Sequence, residues 1–375
     1  MIRIAADSKI PFLQGVLEPF ADVVYLPGSQ INRETASKAD AIIIRTRTKC
    51  DAALLEGTPV RFIATATIGY DHIDTAWCGQ NNVFWTSAPG CNSSSVQQYV
   101  AAALLELASK SNGKLAGRTI GIVGVGNVGS KIKMIAEVLG MKVLLNDPPR
   151  ARKEGTGEFT DLESMLMESD IVTLHVPLSR EGGDATWHLF GDRCFSLLKK
   201  GAWFINTSRG EVVDTESLRK ALSEGRISEA VIDVWENEPY PDPELLDSAF
   251  IATPHIAGYS TDGKANGTSI AVNSLCKFFG LPLNNWYPPE IPGPLSPELI
   301  LEGMGRSTEE IIREAVLHTY DIWSDDRNLR SNPGSFERLR GDYPLRREFP
   351  AYSLHLTDCP GDVTATLRKM GFGVL

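Results

Sequence analysis

The stretch Thr119-Ile-Gly-Ile-Val-Gly-Val-Gly-Asn-Val-Gly129 decides how this chain is read. An apolar run too short for a helix breaks into Gly124-x-Gly126-x-x-Gly129 and then enters a helical pattern from Ser130 to Leu139, which predicts strand, turn and helix in that order. Glycine lets backbone approach a pyrophosphate closely, and the helix N-terminus behind it offers unpaired N–H groups. Gly124, Gly126, Asn127, Val128 and Gly129 are therefore candidate dinucleotide contacts. The next apolar run, Lys142-Val-Leu-Leu-Asn-Asp147, ends in an acid 18 residues beyond Gly129. An acid there accepts hydrogen bonds from the adenosine ribose and repels a 2′-phosphate, which favours NAD. Arg150 close by keeps NADP as the minor alternative.

Upstream, residues 1 to about 90 alternate short apolar runs (Ile2 to Ala5, Val23 to Leu26, Ala41 to Ile44, Phe62 to Thr65, Val83 to Thr86) with polar or helical segments. Such βα repetition predicts a parallel sheet. Ligands gather at the carboxyl ends of such strands, and here Arg45 and Arg47 follow the third run while Thr67 and Gly69 follow the fourth. This reads as an anion pocket of arginine forks and backbone N–H groups, or else as plain surface cations. A helix from about Ser93 to Ser109 carries the chain onward.

Downstream, runs at Asp170 to Leu174, Ala202 to Asn206, Ala230 to Val234 and Phe250 to Thr253 complete a doubly wound sheet, and a helix from about Asp262 to Phe279 returns to the first region. The prediction is an α/β protein: a Rossmann-type dinucleotide domain (94–256), a discontinuous flavodoxin-like substrate domain (1–93 and 257–284) with a cleft between them, and a small α+β C-terminal domain (285–375). That last part opens on Trp286-Tyr-Pro-Pro-Glu-Ile-Pro-Gly-Pro, then shows a capping box, Ser307-x-x-Glu310, ahead of an amphipathic helix from Ile311 to Trp323. Six arginines lie between Arg327 and Arg347. A segment of this size makes a modest core alone, which favours packing against a sister chain.

The bulk properties exclude several classes. At 375 residues, with 42% hydrophobic and 22% charged residues, the chain holds two or three ordinary domains, and no apolar run spans a bilayer. The start, Met1-Ile-Arg-Ile-Ala-Ala, reads as a strand and not as a signal peptide, so a cytoplasmic protein is expected. A net charge of −10 argues against nucleic-acid binding, and the six scattered cysteines form no C-x-x-C pair, so no metal site is expected.

Three segments that follow predicted strands carry chemistry: Asn206-Thr-Ser-Arg209-Gly, Asp233-Val-Trp-Glu-Asn-Glu238-Pro and Thr253-Pro-His255-Ile-Ala-Gly258-Tyr259. Alcohol oxidation needs a group that takes the hydroxyl proton as hydride leaves, and histidine titrates in the right range. Glu238 would orient His255, and Arg209 would clamp a substrate carboxylate. His72 and His175 read as structural, and His188, His318 and His355 carry no site signal.

At these motifs the chain resembles the NAD-dependent D-2-hydroxyacid dehydrogenases. The resemblance covers about the first 280 residues and implies His255 as proton acceptor, Glu238 as its partner and Arg209 for the carboxylate. It further implies cofactor contacts at Asp147, Thr207, Ser208, Arg209, Asp233 and Gly258, with Val176 standing where some relatives carry threonine, and substrate contacts at Thr46, Thr67 and Tyr259. The Pro-His-Ile-Ala-Gly-Tyr259-Ser form, the Thr67-Ile-Gly69-Tyr-Asp-His-Ile-Asp74 loop and the tail Tyr343-Pro-Leu-Arg-Arg-Glu-Phe349 resemble one branch of that family. Its members oxidise a small phosphorylated 2-hydroxy acid in pyridoxal phosphate biosynthesis, form homodimers through an extra C-terminal domain, and can pass electrons from bound cofactor to a 2-oxo acid. On that reading Arg45 or Arg47 holds the phosphate, helped by Arg346 or Arg347 of the partner subunit. The alternatives are another branch, such as 3-phosphoglycerate dehydrogenase, and an NAD-sensing corepressor.

Overall fold

A computed structural model describes residues 1–111 and 113–375. Its contacts divide the chain into two units, Met1–Asn92 with Ser260–Pro292, and Ser93–Tyr259 with Gly293–Leu375. The first unit holds a parallel sheet of β1 (Ile2–Asp7), β2 (Ala21–Leu26), β3 (Ala41–Ile44), β4 (Phe62–Thr65) and β5 (Phe84–Thr86), ordered β2-β1-β3-β4-β5. β3 and β4 are buried throughout, as expected of central strands covered on both faces. One face is covered by the helix Thr261–Phe279, whose Ala271, Val272 and Leu275 pack with Ile4, Ile43 and Phe62.

The second unit carries β6 (Thr119–Val123), β7 (Lys142–Asn146), β8 (Ile171–Leu174), β9 (Ala202–Asn206), β10 (Ile227–Ile232) and β11 (Ile251–Ala252), ordered β11-β10-β9-β8-β6-β7, all parallel. Beyond β7, Phe159 makes a single parallel bridge to Leu145. Counted as a vestigial edge strand, that bridge gives the 3-2-1-4-5-6 order of dinucleotide folds, with one further strand at the far edge. The order reverses at β6, so the crevice lies at the carboxyl ends of β6 and β8. Gly124 and His175 stand there: the Gly124 N–H donates to the Asn146 carbonyl and the His175 N–H to the Val123 carbonyl, both at 2.8 Å.

The C-terminal segment adds a third parallel sheet, β12 (Glu298–Glu302), β13 (Ser353–Thr357) and β14 (Gly373–Val374), in that order. Its apolar residues join those of the dinucleotide part in one core, where Leu301, Ile311, Ala315 and Val316 cluster with Val100, Leu104 and Leu107 of the Ser93–Lys110 helix. This explains why that helix is buried continuously from Ser95 to Ala108 instead of showing a single apolar stripe: it is covered from two sides. Polar staples fix the contact. Arg313 and the Trp323 indole both donate to Glu106, at 2.6 and 2.7 Å, and the Gln98 amide donates to Thr319 and to the Arg347 carbonyl, each at 2.9 Å.

One expectation changes. The predicted helix over 311–323 is two helices, Thr308–Thr319 and Ile322–Ser331. The first opens on the anticipated Ser307/Glu310 capping box and ends at an extended Tyr320. The second is capped by Asp321, whose carboxylate accepts from the Trp323 and Ser324 N–H groups. Apolar periodicity runs through the break, but an acid able to cap restarts the chain. The new direction has a use, since Asp326 then accepts the Ala252 N–H at 2.8 Å and satisfies the edge strand β11. Asp321→Ala should lower unfolding stability by about 1 kcal/mol, while Asp321→Asn stays within a few tenths. Denaturant unfolding checks this.

Candidate active site

The three glycines of the opening motif do three different things. Gly124 has φ +85°, and a Cβ there would lie 2.7 Å from the His175 carbonyl oxygen. Gly129 sits so close to the strand that a Cβ would lie 2.0 Å from the Gly124 oxygen. Gly126 faces open space, with nothing within 4 Å of a Cβ. Tight turn, close helix packing and unobstructed backbone are the three requirements of a pyrophosphate cradle, so these residues fit a dinucleotide. Asn127 and Val128 begin the Asn127–Val138 helix at the cradle's edge. Asp147 ties the turn to the next helix: one carboxylate oxygen accepts the Val125 N–H at 2.8 Å and the other the Arg150 N–H at 3.0 Å. The Arg150 side chain is occupied by Glu154 and by the Val125 carbonyl.

His255 follows β11 with φ +56°, a left-handed conformation that a non-glycine residue adopts only when its surroundings enforce it. The enforcing group is Asp233, 1% exposed, at the end of β10. Its carboxylate accepts the Ile256 N–H at 2.8 Å, the Ala257 N–H at 3.0 Å and the Thr253 hydroxyl at 2.6 Å, while its carbonyl accepts the His255 N–H at 2.7 Å. Because the Thr253 hydroxyl spends its proton on Asp233, the buried Tyr99 hydroxyl, 2.7 Å away, must donate to Thr253. Burial pushes the Asp233 carboxyl up; the facing histidine and these donors pull the other way.

The resulting pose puts His255 Nδ1 2.8 and 3.0 Å from the Glu238 oxygens. Burial would raise the Glu238 carboxyl, but His255 outweighs it, joined by the Trp235 N–H and Arg340, and holds the group below its ordinary value. An ionised Glu238 accepts, so Nδ1 carries the ring proton and Nε2 keeps its lone pair. The Arg209 turn is shaped by its own loop. Asn206, 1% exposed, accepts the Ser208 N–H and hydroxyl on Oδ1 and donates to the Arg209 carbonyl, folding Thr207–Arg209 back on itself. At Gly210 a Cβ would lie 2.0 Å from the Trp235 carbonyl, so only glycine lets the Arg209 loop rest on the backbone that leads to Glu238. Val176 and Thr207 border the cradle: Val176 is within 2.8 Å of a Gly124 Cβ, and the Thr207 hydroxyl is 3.3 Å from His175. Gly258 and Tyr259 end the His255 loop, Tyr259 standing edge-on to Tyr343 at 5.7 Å.

Residues 94–257 match the model of the D-isomer specific 2-hydroxyacid dehydrogenase NAD binding domain, and residues 292–371 match a domain of unknown function, DUF3410. The chain is 50% identical to an erythronate-4-phosphate dehydrogenase from Bacteroides fragilis, over 95% of this chain and all of that one. A Proteus mirabilis protein of the same name is 39% identical over 99% of both chains. This chain belongs to the erythronate-4-phosphate dehydrogenase family. Among solved structures it resembles Aquifex aeolicus D-lactate dehydrogenase complexed with NAD and lactic acid (TM-score 0.62, 27% identity, 74% of this chain and 96% of that one). It also resembles NAD-bound 3-phosphoglycerate dehydrogenase of Entamoeba histolytica (TM-score 0.63, 25% identity, 78% and 99%). The fold class expected from sequence is the one observed, and NAD is the cofactor.

Within this family member, the substrate candidates of the first unit lie on strand-end loops. Arg45 and Arg47 follow β3, with an Arg45 nitrogen 3.3 Å from the Lys9 carbonyl, and Thr46 is exposed between them. The Thr67 hydroxyl is 2.7 Å from that of Thr65 and donates to the Gly69 carbonyl at 3.0 Å, closing the loop after β4. In the tail, Arg346 is 4% exposed and points inward, donating to the carbonyls of Ser95, Ile256 and Ala257, with its guanidinium over the Tyr320 ring at 4.4 Å. Arg347 is partly buried beside it. Sequence reasoning did not single out Tyr99 and Thr253 as supports of the His255 loop or Asn206 as the residue that shapes the Arg209 turn. His175, read from sequence as structural, bridges Thr173 and Thr207 with its ring, and burial pushes its pKa well down. His188 also gains partners, Glu236 at 2.6 Å and Asp214 at 3.7 Å, but Asp214 caps the Thr215–Ser223 helix and Glu236 accepts the Thr215 N–H. Gly210→Ala should lower kcat on the order of a hundredfold, since a shift of about 1 Å in catalytic groups costs that much. Steady-state kinetics would show it; a kcat equal to the parent's would mean the close approach is not needed.

Proposed function

We propose that this chain oxidises 4-phospho-D-erythronate with NAD to (R)-3-hydroxy-2-oxo-4-phosphooxybutanoate in pyridoxal 5′-phosphate biosynthesis. The observation that carries the substrate is the extent of the likeness. Relatives of that name match along 95–99% of this chain, tail included, whereas the lactate and phosphoglycerate enzymes overlap about three-quarters of it.

NAD would supply the acceptor for the hydride that leaves C2 of the substrate. Gly124, Gly126, Asn127, Val128 and Gly129 would hold its pyrophosphate and Asp147 its adenosine ribose, with Val176, Thr207, Ser208 and Gly258 lining the rest and Asp233 supporting that last loop from beneath. His255 takes the C2 hydroxyl proton on Nε2, because Nδ1 is engaged by Glu238. Glu238 orients the ring and stabilises the imidazolium as it forms. Arg209, permanently charged and fork-shaped, binds the C1 carboxylate and draws electron density from the developing carbonyl. Arg45 or Arg47 takes the phosphate, with Thr46, Thr67, Gly69 and Tyr259 contacting the sugar-acid chain. Arg346 is occupied inside its unit, and we leave it out of the substrate set.

A cytoplasmic homodimer fits this reading. Among the described residues no helix is long and apolar enough to cross a membrane. The edge strand β12 presents Ile300 at 67% exposure, with Leu295 and Met304 exposed nearby, an apolar margin suited to a second copy. A 2-oxo acid is the electron acceptor we would supply for repeated turnover.

A panel of erythronate 4-phosphate, 3-phosphoglycerate and D-lactate with NAD tests the assignment. The first should be preferred by at least about a hundredfold in kcat/KM; preference for either of the others overturns it. His255→Asn should lower kcat by about a thousandfold or more with NAD affinity within a few-fold of the parent, measured by cofactor fluorescence. Arg45→Ala should weaken the phosphorylated substrate far more than unphosphorylated erythronate, and an equal loss for both would remove its phosphate role.

A further inference from the structure

The arginine-rich stretch of the tail is mostly structural. Arg330 donates to the Ala249 and Leu246 carbonyls and pairs with Asp326, Arg346 is buried on carbonyls, and Arg327 meets Asp321 at the surface. Arg340 differs. It lies in the short helix Phe336–Gly341 with its side chain 18% exposed, and its ion partner is Glu337 at 3.4 Å, itself 39% exposed. The guanidinium stands 5.8 Å from the centre of the Tyr259 ring, hydrogen bonds to Tyr259 and faces Glu238. Its Nε is buried without a hydrogen-bond partner among the described residues. A cation is thus held in a partly dry setting, shared between Glu337 of its own helix and the loop that carries His255.

We propose that Arg340 is a positioning residue of the dehydrogenase reaction, the charge through which the C-terminal segment fixes Tyr259 and balances the Glu238–His255 couple. The couple is faced by Asp233 from beneath the loop and by Arg340 from the tail, and Arg340 in turn meets Tyr259 and Glu337. Oxidation needs a couple ready to receive the substrate's proton. The Arg340 charge serves this by helping to hold Glu238 as a carboxylate. The guanidinium beside its ring also restricts Tyr259. Because the tail matches a domain of unknown function, this gives that domain a part in the reaction.

The inference rests on the proposed reaction for its turnover readout only. In the full-length protein, Arg340→Gln should move the acid limb of kcat/KM for erythronate 4-phosphate up by about 0.5–1 pH unit, the size expected of a unit charge acting over several ångströms in a partly screened site. Arg340→Lys should keep it near the parent's, and Glu337→Gln, which releases Arg340 from its surface partner, should move it down. The same order should appear in the couple's titration, followed by NMR on ring-labelled histidine without substrate. Identical titrations in parent, Arg340→Gln and Glu337→Gln overturn the proposal, as does an equal loss of kcat in the Lys and Gln variants with no change in the limb. If Arg340→Gln fails to fold, Glu337→Gln decides. If the parent does not oxidise erythronate 4-phosphate, the functional reading fails and the NMR series still judges Arg340.

Discussion

A buried carboxylate governs the site. Asp233 sits where β10 ends, and with both oxygens engaged it gathers the Thr253 hydroxyl and the Ile256 and Ala257 N–H groups into one turn. Burying a carboxylate is costly, and charge-assisted hydrogen bonds from three donors are what make it tolerable. The return is geometric: His255 is driven into a left-handed conformation that aims its ring at Glu238. Remove the carboxylate and the backbone has no reason to hold that pose. Gly210 complements it from the other side, since its missing side chain lets the Arg209 loop rest on Trp235.

The C-terminal segment braces the same turn. Arg346 donates to the Ile256 and Ala257 carbonyls, the first of which belongs to the peptide whose Ala257 N–H Asp233 holds. Asp325, also buried, accepts from the Tyr320 and Tyr343 hydroxyls close to that arginine. Opposite charges therefore grip one short loop from two directions. A buried pair of this kind specifies a conformation more than it stabilises the fold, and specification is what a proton-transfer site requires.

What could be read beforehand was local. The glycine turn, its acid at Asp147 and the βα alternation are short-range patterns, and the first two sheets appear where the apolar runs place them, while no run announced the third. The Asn206, Asp233 and Thr253 segments announced themselves as strand-end motifs, and the Glu238–His255 contact follows from two of them meeting. The tail was harder. Its arginines look like a phosphate-binding patch in sequence, yet Arg346 reaches Ser95 across 251 positions and Arg330 reaches Ala249 across 81. No spacing rule encodes such contacts. Periodicity also carried the tail helix through Tyr320, because an apolar pattern is blind to the capping acid that follows it.

A dinucleotide cradle at the switch point, a loop tied down by a buried acid, and an imidazole whose Nδ1 is held by a carboxylate are together the parts of an alcohol oxidation at C2. The most direct test is to supply erythronate 4-phosphate bearing deuterium on C2 and examine the reduced cofactor by mass spectrometry after a single turnover. One deuterium on the nicotinamide is the result expected. Reduced cofactor without the label, or no reduced cofactor at all, would contradict the account.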